Sequence, residues 1–386
     1  MTVYILSPFE SKMAQRGTRH PSLAEFLVNK GYPVEYVSTN FSHARKEYFS
    51  RDEIRCWEEI LPYKLTVLKI FGYYNNLSIR RVLAHCFLSM RMFSYLVHRL
   101  HPDDTVVIPS RPPELIFSLL LLKLIYKMHV VVDIRDIWPD MLPSKSKIQQ
   151  GIFSVYCHMF LYLSLPRMDR FVHIAPVFTK WLKRYAPQKS SVFIPLGYDE
   201  QRWKSSKNLD KEGLNGKIDL VYVGAVTRQI DLSGVIQAIA NDHRYRLTII
   251  GDGENLDQLK QDASRAGIEN IHFTGFVAYD EVVERLRRMH IGIIPMTGHA
   301  MPNKLFDYIA ARRPILVLGE NDAATLVTEN HSGWQQPFHG PKLSEFFERL
   351  TMHDISRMAM GVEQIRKRFS KENLYRDYIN IIENRN

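Results

Sequence analysis

The chain has 386 residues, 45% of them hydrophobic and 24% charged, so it can bury large cores and its length favours two domains. That composition excludes a disordered or fibrous protein. The formal charge of +10 favours phosphate-bearing or lipid-headgroup partners, whereas no helix-turn-helix pattern, zinc spacing or aromatic-basic RNA motif speaks for nucleic acid.

The amino terminus, MTVYILSPFE, has no basic stretch ahead of an apolar one, so no secretory signal is expected. Residues 3–6 read as a strand, 21–30 as a helix ended by Gly31, and 34–37 as a second strand. Between residues 61 and 101 lies a basic-apolar tract in which Arg80, Arg81, Arg91 and Arg99 interleave with Phe87, Met90, Phe93 and Leu96. Two readings of that tract stay open: a helix lying on an anionic membrane surface, or a core helix. Residues 105–108 and 130–134 are short β-branched runs, and the apolar segment 115–126 between them contains Lys123. It is shorter than the roughly 20 residues a membrane span needs. Runs at 171–174 and 192–194 continue the alternation of strand and helix, which implies a parallel sheet covered on both faces.

Residues 201–217, QRWKSSKNLDKEGLNGK, are polar and lysine-rich, as interdomain linkers are. A second β/α series follows, with strands expected over 219–223, 246–250, 271–273, 291–295 and 314–318. The expected fold class is therefore α/β, two Rossmann-like doubly wound domains facing a cleft, spanning 1–205 and 206–365. The amphipathic segment 366–386 would return towards the first domain. Cys56, Cys86 and Cys157 are scattered and odd in number, which suits a reducing cytoplasm and gives neither a disulfide framework nor a metal site.

The strongest local signal is MPNKLFDYIAARRPILV at 301–317, preceded by the strand IGIIP. Pro302 and Asn303 suit a helix start, and a helix amino terminus after a strand attracts anions through its free N–H groups. Lys304 adds a full positive charge there. Asp307, one turn on, would point into the same mouth and can accept hydrogen bonds from ribose hydroxyls; a solvated helix carboxylate is the alternative.

The ordered series VYVGAVTRQIDLSGVIQAIA, LTIIGDGENLDQL, IHFTGFVAYDEVVERL, IGIIPM and MPNKLFDYIAARRPILV resembles the donor domain of the fourth sequence family of glycosyltransferases. Upstream, FIPLGYDEQRW at 193–203 is similar to that family's PNGVD segment. DIRDIWPDMLP at 133–143 is similar to the RDLWPE stretch of members that act on bacterial surface polysaccharides such as O-antigen or capsule. The resemblance implies a retaining GT-B enzyme that moves a sugar from a nucleoside-diphosphate sugar to a hydroxyl of a surface glycan, lipid-linked or free. It also implies a cytoplasmic or peripheral membrane location.

By position, the resemblance makes Asp307 the second acidic residue of the family's Glu-x7-Glu motif, which holds the ribose. The first Glu is replaced by His299, a candidate for hydrogen bonding to the donor sugar or a phosphate. Arg228 in GAVTRQ would join Lys304 and Asn303 in neutralising the diphosphate. The loop 7–22 matches a glycine-rich phosphate loop, here holding Gly17 with Lys12, Arg16, Arg19 and His20. Asp133, Asp136 and Asp140 would gather around Arg135 and Trp138 on the acceptor side, with Asp136 as acceptor-positioning residue or weak base; a structural Asp133–Arg135 ion pair is the other reading. No cofactor beyond the nucleotide-sugar donor and no metal is implied, since Lys304 and Arg228 can carry the positive charge. A nucleotide-sugar epimerase, an inverting transferase and a catalytically reduced nucleotide- or partner-binding subunit are the rival readings.

Overall fold

Crossover connections force neighbouring strands to run parallel and bury both faces of a sheet, so strands of this kind are apolar along their whole length. The computed structural model, which describes residues 1–14, 19–75, 78–141, 146–204, 217–240, 242–298 and 301–384, follows this rule most closely at the centre of each sheet. The chain starts with β1 (Val3–Leu6), α1 (Arg19–Asn29), β2 (Val34–Thr39), the short antiparallel pair β3 (Phe41–Ser42) and β4 (Glu47–Tyr48), α2 (Arg51–Ile60) and β5 (Lys64–Leu68). It continues through α3 (Ile79–Leu96), β6 (Thr105–Pro109), α4 (Pro113–Lys123), β7 (His129–Ile134), α5 (Lys147–Ser164), β8 (Arg170–His173), α6 (Phe178–Tyr185) and β9 (Val192–Phe193). The sheet has the order β5-β2-β1-β6-β7-β8-β9, parallel throughout, with Val3 in register with Val34 on one side and Thr105 on the other. Strand β1 is buried at every position, as are β2, β6 and β7.

The second sheet is built from β10 (Ile218–Val223), α7 (Ser233–Ile239), β11 (Tyr245–Ile250), α8 (Leu256–Arg265), β12 (Ile271–Gly275), α9 (Tyr279–Leu286) and β13 (Ile291–Pro295). Then come α10 (Asn303–Ala310), β14 (Ile315–Leu318), α11 (Asp322–Glu329), β15 (Gly333–Gln336), α12 (Pro341–Arg349), α13 (Met352–Arg366) and α14 (Lys371–Glu383). Its order is β12-β11-β10-β13-β14-β15, again parallel. Leu220, Tyr222, Leu247, Ile249, Ile293 and Leu316 form the middle of its core.

The chain divides into two units, Met1–Ile194 with Tyr375–Asn386, and Pro195–Leu374. The first unit thus ends before residue 205 and takes back the chain partway along α14, where the Tyr375 hydroxyl donates to the Arg19 carbonyl at 3.0 Å and the Tyr375 ring packs on Phe26. Most of the polar tract at 201–217 lies outside the described residues. The carboxy-terminal segment is two helices, because the chain tightens into a 3-10 turn at Lys367–Phe369 and Ser370 bridges to Tyr198. Strands β5 and β15 were not anticipated. The first hides in the basic-apolar tract, and GWQQ of β15 has the half-buried pattern of an edge strand.

That tract also yields α3, whose inward face is Ala84, His85, Leu88, Met92 and Leu96. Arg81 points inward too, with its guanidinium 4.9 Å from the Trp138 ring centre and 5.5 Å from that of Tyr73. Helix α4 is apolar on every side because α3 and α5 close over it, and Cys86 Sγ of α3 lies 3.5 Å from Tyr156 Oη of α5.

Candidate functional site

In an open parallel sheet the ligand site lies at the carboxyl ends of the strands, where the strand order reverses. In the second unit this point falls between β10 and β13. Gly292 of β13 lets α10 approach: a Cβ there would lie 2.3 Å from the Tyr308 ring. The Tyr308 hydroxyl accepts from the Val223 N–H at 3.1 Å and lies 3.2 Å from the Ile293 carbonyl, so one buried side chain bridges β10, β13 and α10. This clamp fixes the direction of the first turn of α10.

That turn begins with Pro302 at the cap, which offers no side-chain oxygen to the helix N–H groups, and Asn303 stands exposed as the first helical residue. Lys304 turns back over the end of β10. Its ammonium lies 3.8 Å from the Tyr222 ring centre, and a Cβ on Gly224 would be 2.8 Å from Nζ. Gly224 has φ +140°, a conformation other residues rarely adopt, so glycine is favoured by the backbone, and its missing side chain leaves room for the Lys304 ammonium. Burial pushes the Lys304 amine down to about 7, against a smaller upward pull from Asp307. Burial likewise pushes the Asp307 carboxyl up to about 6, although Tyr279 Oη donates to it at 2.5 Å and Lys371 and Lys304 favour its ionised form. The mouth therefore holds a cation that the protein itself compensates only in part.

The loop after β10 closes against the loop after β11. The Gly224 N–H donates to Ile250 O at 2.9 Å and the Val226 N–H to Asp252 O at 3.0 Å, and a Cβ on Gly251 would collide with the Gly224 carbonyl. Arg228 is exposed on this loop, four residues beyond the glycine that touches Lys304, and its backbone N–H donates to the Glu254 carboxylate at 3.5 Å. The geometry thus brings Lys304, Asp307, Gly224 and Tyr222 together and leaves Arg228 on the rim of the same loop. Tyr222, Tyr279 and Tyr308 were missed from sequence. Each is a strand or helix aromatic whose partner lies far along the chain, and no local pattern marks it. His299, Arg16 and Gly17 lie outside the described residues.

In the first unit the charges at the carboxyl ends of the strands are spent on one another. Arg19, at the start of α1, donates from Nε to Asp133 Oδ2 at 2.7 Å and from Nη2 to Oδ1 at 3.1 Å, both side chains being fully buried. His20 lies between Ser7 Oγ and Asp133 Oδ2, at 2.9 Å from each. Burial pushes the Asp133 carboxyl up, but Arg19 and His20 pull it well below the usual carboxylate range. Glu10 accepts from the Arg19 N–H at 2.7 Å and pairs with Arg135. Among the described loop residues, then, Arg19 and His20 are structural groups rather than phosphate ligands, and Lys12 pairs with Glu25 at 2.9 Å.

The expected ring of aspartates around Arg135 does not form. Asp133 binds Arg19, Asp136 binds Arg111 at 2.5 Å, Asp140 binds Arg184 at 2.9 Å, and Arg135 goes to Glu10. The pairing is set by the tertiary path of three different loops, which local spacing does not encode. Asp136 is about one-third exposed and lines a pocket of about 220 Å³ with Glu10, His43, Arg111 and Arg135.

Two units with parallel sheets of seven and six strands match the GT-B architecture of solved glycosyltransferase structures. Residues 217–348, within the second unit, match the family model described as glycosyl transferases group 1. Sucrose-phosphate synthase from Thermosynechococcus elongatus is similar in fold, with a TM-score of 0.69 at 11% identity over 98% of each chain. So is the Anabaena protein HepE in complex with UDP, with a TM-score of 0.67 at 13% identity over 98% of this chain and 99% of that one. WaaG, a glycosyltransferase involved in lipopolysaccharide biosynthesis, aligns at a TM-score of 0.64 and 14% identity over 99% of this chain and all of its own. No curated protein matches the sequence.

Proposed function

We propose that the chain moves a sugar, with retention of configuration, from a nucleoside-diphosphate sugar to a hydroxyl of a bacterial surface glycan. The observation that carries this reading is Lys304, held at the amino terminus of α10 against Tyr222 and Gly224, with its amine lowered by burial to about 7. A diphosphate at that helix end would meet the free N–H groups of the first turn and restore the charge of the amine. Asp307 is the ribose ligand, and Arg228, swinging from the loop after β10, is the second diphosphate ligand. The UDP bound in the Anabaena relative supports a uridine nucleotide as the first ligand to test. The lipopolysaccharide role of WaaG supports a surface-glycan acceptor.

In the transfer step the bond between the anomeric carbon and the diphosphate oxygen breaks, and its electron pair moves onto the phosphate. Lys304, Arg228 and the α10 N–H groups stabilise that charge without a metal. The acceptor oxygen forms the new bond, and its proton leaves on the departing phosphate. Asp136, in the pocket of the first unit, positions the acceptor hydroxyl.

The test is calorimetric titration with UDP, followed by NMR of the anomeric proton in the product. The reading expects binding that Lys304→Ala weakens by about a hundredfold and Asp136→Asn leaves intact, together with a product that keeps the donor's anomeric configuration. Unaltered UDP binding by Lys304→Ala would place the nucleotide elsewhere, and an inverted product would exclude retention.

A further inference from the structure

The second unit carries a pocket of about 340 Å³, between β15 and α12, that the transfer chemistry does not use. One wall is the edge strand β15, where Trp334 and Gln336 stand two residues apart and therefore on one face, both half-buried. The other wall is α12. Leu343 and Phe347 fill its core side, while Lys342, Glu345, Phe346 and Arg349 follow the three- and four-residue spacing of a second face. The Phe346 ring meets the Trp334 ring edge-on, with centroids 5.5 Å apart. Asp354, in the first turn of α13, closes the end of the pocket. Glu345 and Arg349 are four residues apart, where helices commonly form an ion pair. Yet among the described residues the side chains of Gln336, Lys342, Glu345 and Arg349 make neither a hydrogen bond nor an ion pair. Four polar groups are thus open to a ligand beside two aromatic rings.

The charges of the pocket select its occupant. Lys342 and Arg349 are matched by Glu345 and Asp354, so the pocket is neutral in a chain whose formal charge is +10. An anion drawn by the two cations would be repelled by the two carboxylates. The fitting ligand offers donors and acceptors side by side, together with an apolar face for the rings. A pyranose does both, because each hydroxyl donates and accepts and the C–H groups of one ring face can cover an aromatic side chain. The pocket is also set apart from the nucleotide residues. Arg244 Nη2 donates to the Phe347 carbonyl at 3.2 Å, and Tyr245 beside it begins β11. The end of α12 therefore lies at the amino end of the sheet, opposite the carboxyl ends that carry Lys304 and Arg228.

We infer that the β15–α12 pocket binds a neutral pyranose unit of a glycan, at a site separate from the transfer centre. The inference does not rest on the transfer reaction, since a chain that moved no sugar would still hold the glycan. In a transferase such a site tethers a long acceptor and raises the local concentration of its reactive end. The test is saturation-transfer NMR of the full chain with maltotriose, cellotriose, mannotriose and, as the anionic comparison, trigalacturonate, with and without UDP. At least one neutral trisaccharide should bind whether or not UDP is present. Trp334→Ala should weaken that binding by about tenfold and Glu345→Ala by about fivefold, with UDP affinity unchanged. Trp334 also packs against the core, so the exposed Glu345→Ala decides the matter if the first variant does not fold. Failure of all three neutral sugars to bind, wild-type binding by Glu345→Ala, or tighter binding of trigalacturonate overturns the inference. Variant-sensitive binding of a neutral trisaccharide by a chain that does not bind UDP would overturn the transfer reading and leave this one standing.

Discussion

Arg19 and Lys304 hold corresponding places in their units, each in the first turn of a helix that follows a strand bordering the reversal of strand order. Around Arg19 the fold has assembled the carboxylate of Asp133, which accepts from the guanidinium at two points and from which His20 lies 2.9 Å, while Glu10 accepts from the Arg19 backbone N–H, so that the cation is neutralised within the protein. Around Lys304 it has assembled a tyrosine face, a glycine and a carboxyl half-committed to Tyr279. The first arrangement holds a loop in place. The second leaves positive charge that a diphosphate can complete, because burial without a matched counter-ion stores unfavourable free energy that ligand binding releases.

The contrast can be broken most forcefully in the first unit. Asp133→Ala should leave Arg19 buried without its partner and cost about 3–5 kcal/mol, read as a fall in the urea midpoint of the transition belonging to that unit. A cost below about 1 kcal/mol would mean that the network is not structural. Lys304→Ala should behave oppositely. It should lower UDP affinity by about a hundredfold, or about 3 kcal/mol, while the free protein becomes no less stable in thermal unfolding, since a half-buried amine without an ion-pair partner at hydrogen-bonding distance among the described residues has been removed.

Gly292→Ala tests the clamp that aims α10. The methyl group would meet the Tyr308 ring, so the second unit should lose about 2 kcal/mol and nucleotide binding should weaken with it. Proton linkage sharpens the comparison further. The Lys304 amine titrates near 7 in the free protein, and a bound phosphate raises that value. Above pH 7 binding must therefore take up a proton, and affinity should fall by up to about tenfold per pH unit, with no slope from this group below 7. Calorimetry across pH 6 to about 9 would measure this, and Lys304→Arg should flatten the profile because a guanidinium stays charged. The smallest effect is expected from Tyr279→Phe. Losing its hydrogen bond should raise the Asp307 carboxyl further and reduce nucleotide affinity by about 1 kcal/mol, with NMR titration of the carboxyl following the shift.

Much of the fold was legible because its signals are local. The β-branched runs of β1, β7, β10 and β13 alternate with helices, and that alternation implies parallel sheets before any contact is known. The helix start at Asn303 with Lys304 and Asp307 was likewise readable, since strand, turn and helix lie within one short stretch. The engagement of two basic residues in the first loop was not legible for the converse reason: Arg19 and His20 look available until Asp133, 114 residues on from Arg19, is brought against them. Tyr222 and Tyr279 stand 82 and 28 residues from the groups they modulate, and nothing beside them in the chain distinguishes them from core or surface aromatics.

The sequence by itself determined the two α/β units, the helix start at Asn303 and the excess of positive charge, all of which follow from periodicity, turn residues and composition over short windows. Only the tertiary structure decided which of those charges would be paired with a carboxylate, as Arg19 is with Asp133, and which would rest on a tyrosine face, as Lys304 does on Tyr222. Charge compensation depends on burial and on distances of a few ångströms between residues far apart in the chain, and short-window patterns carry neither.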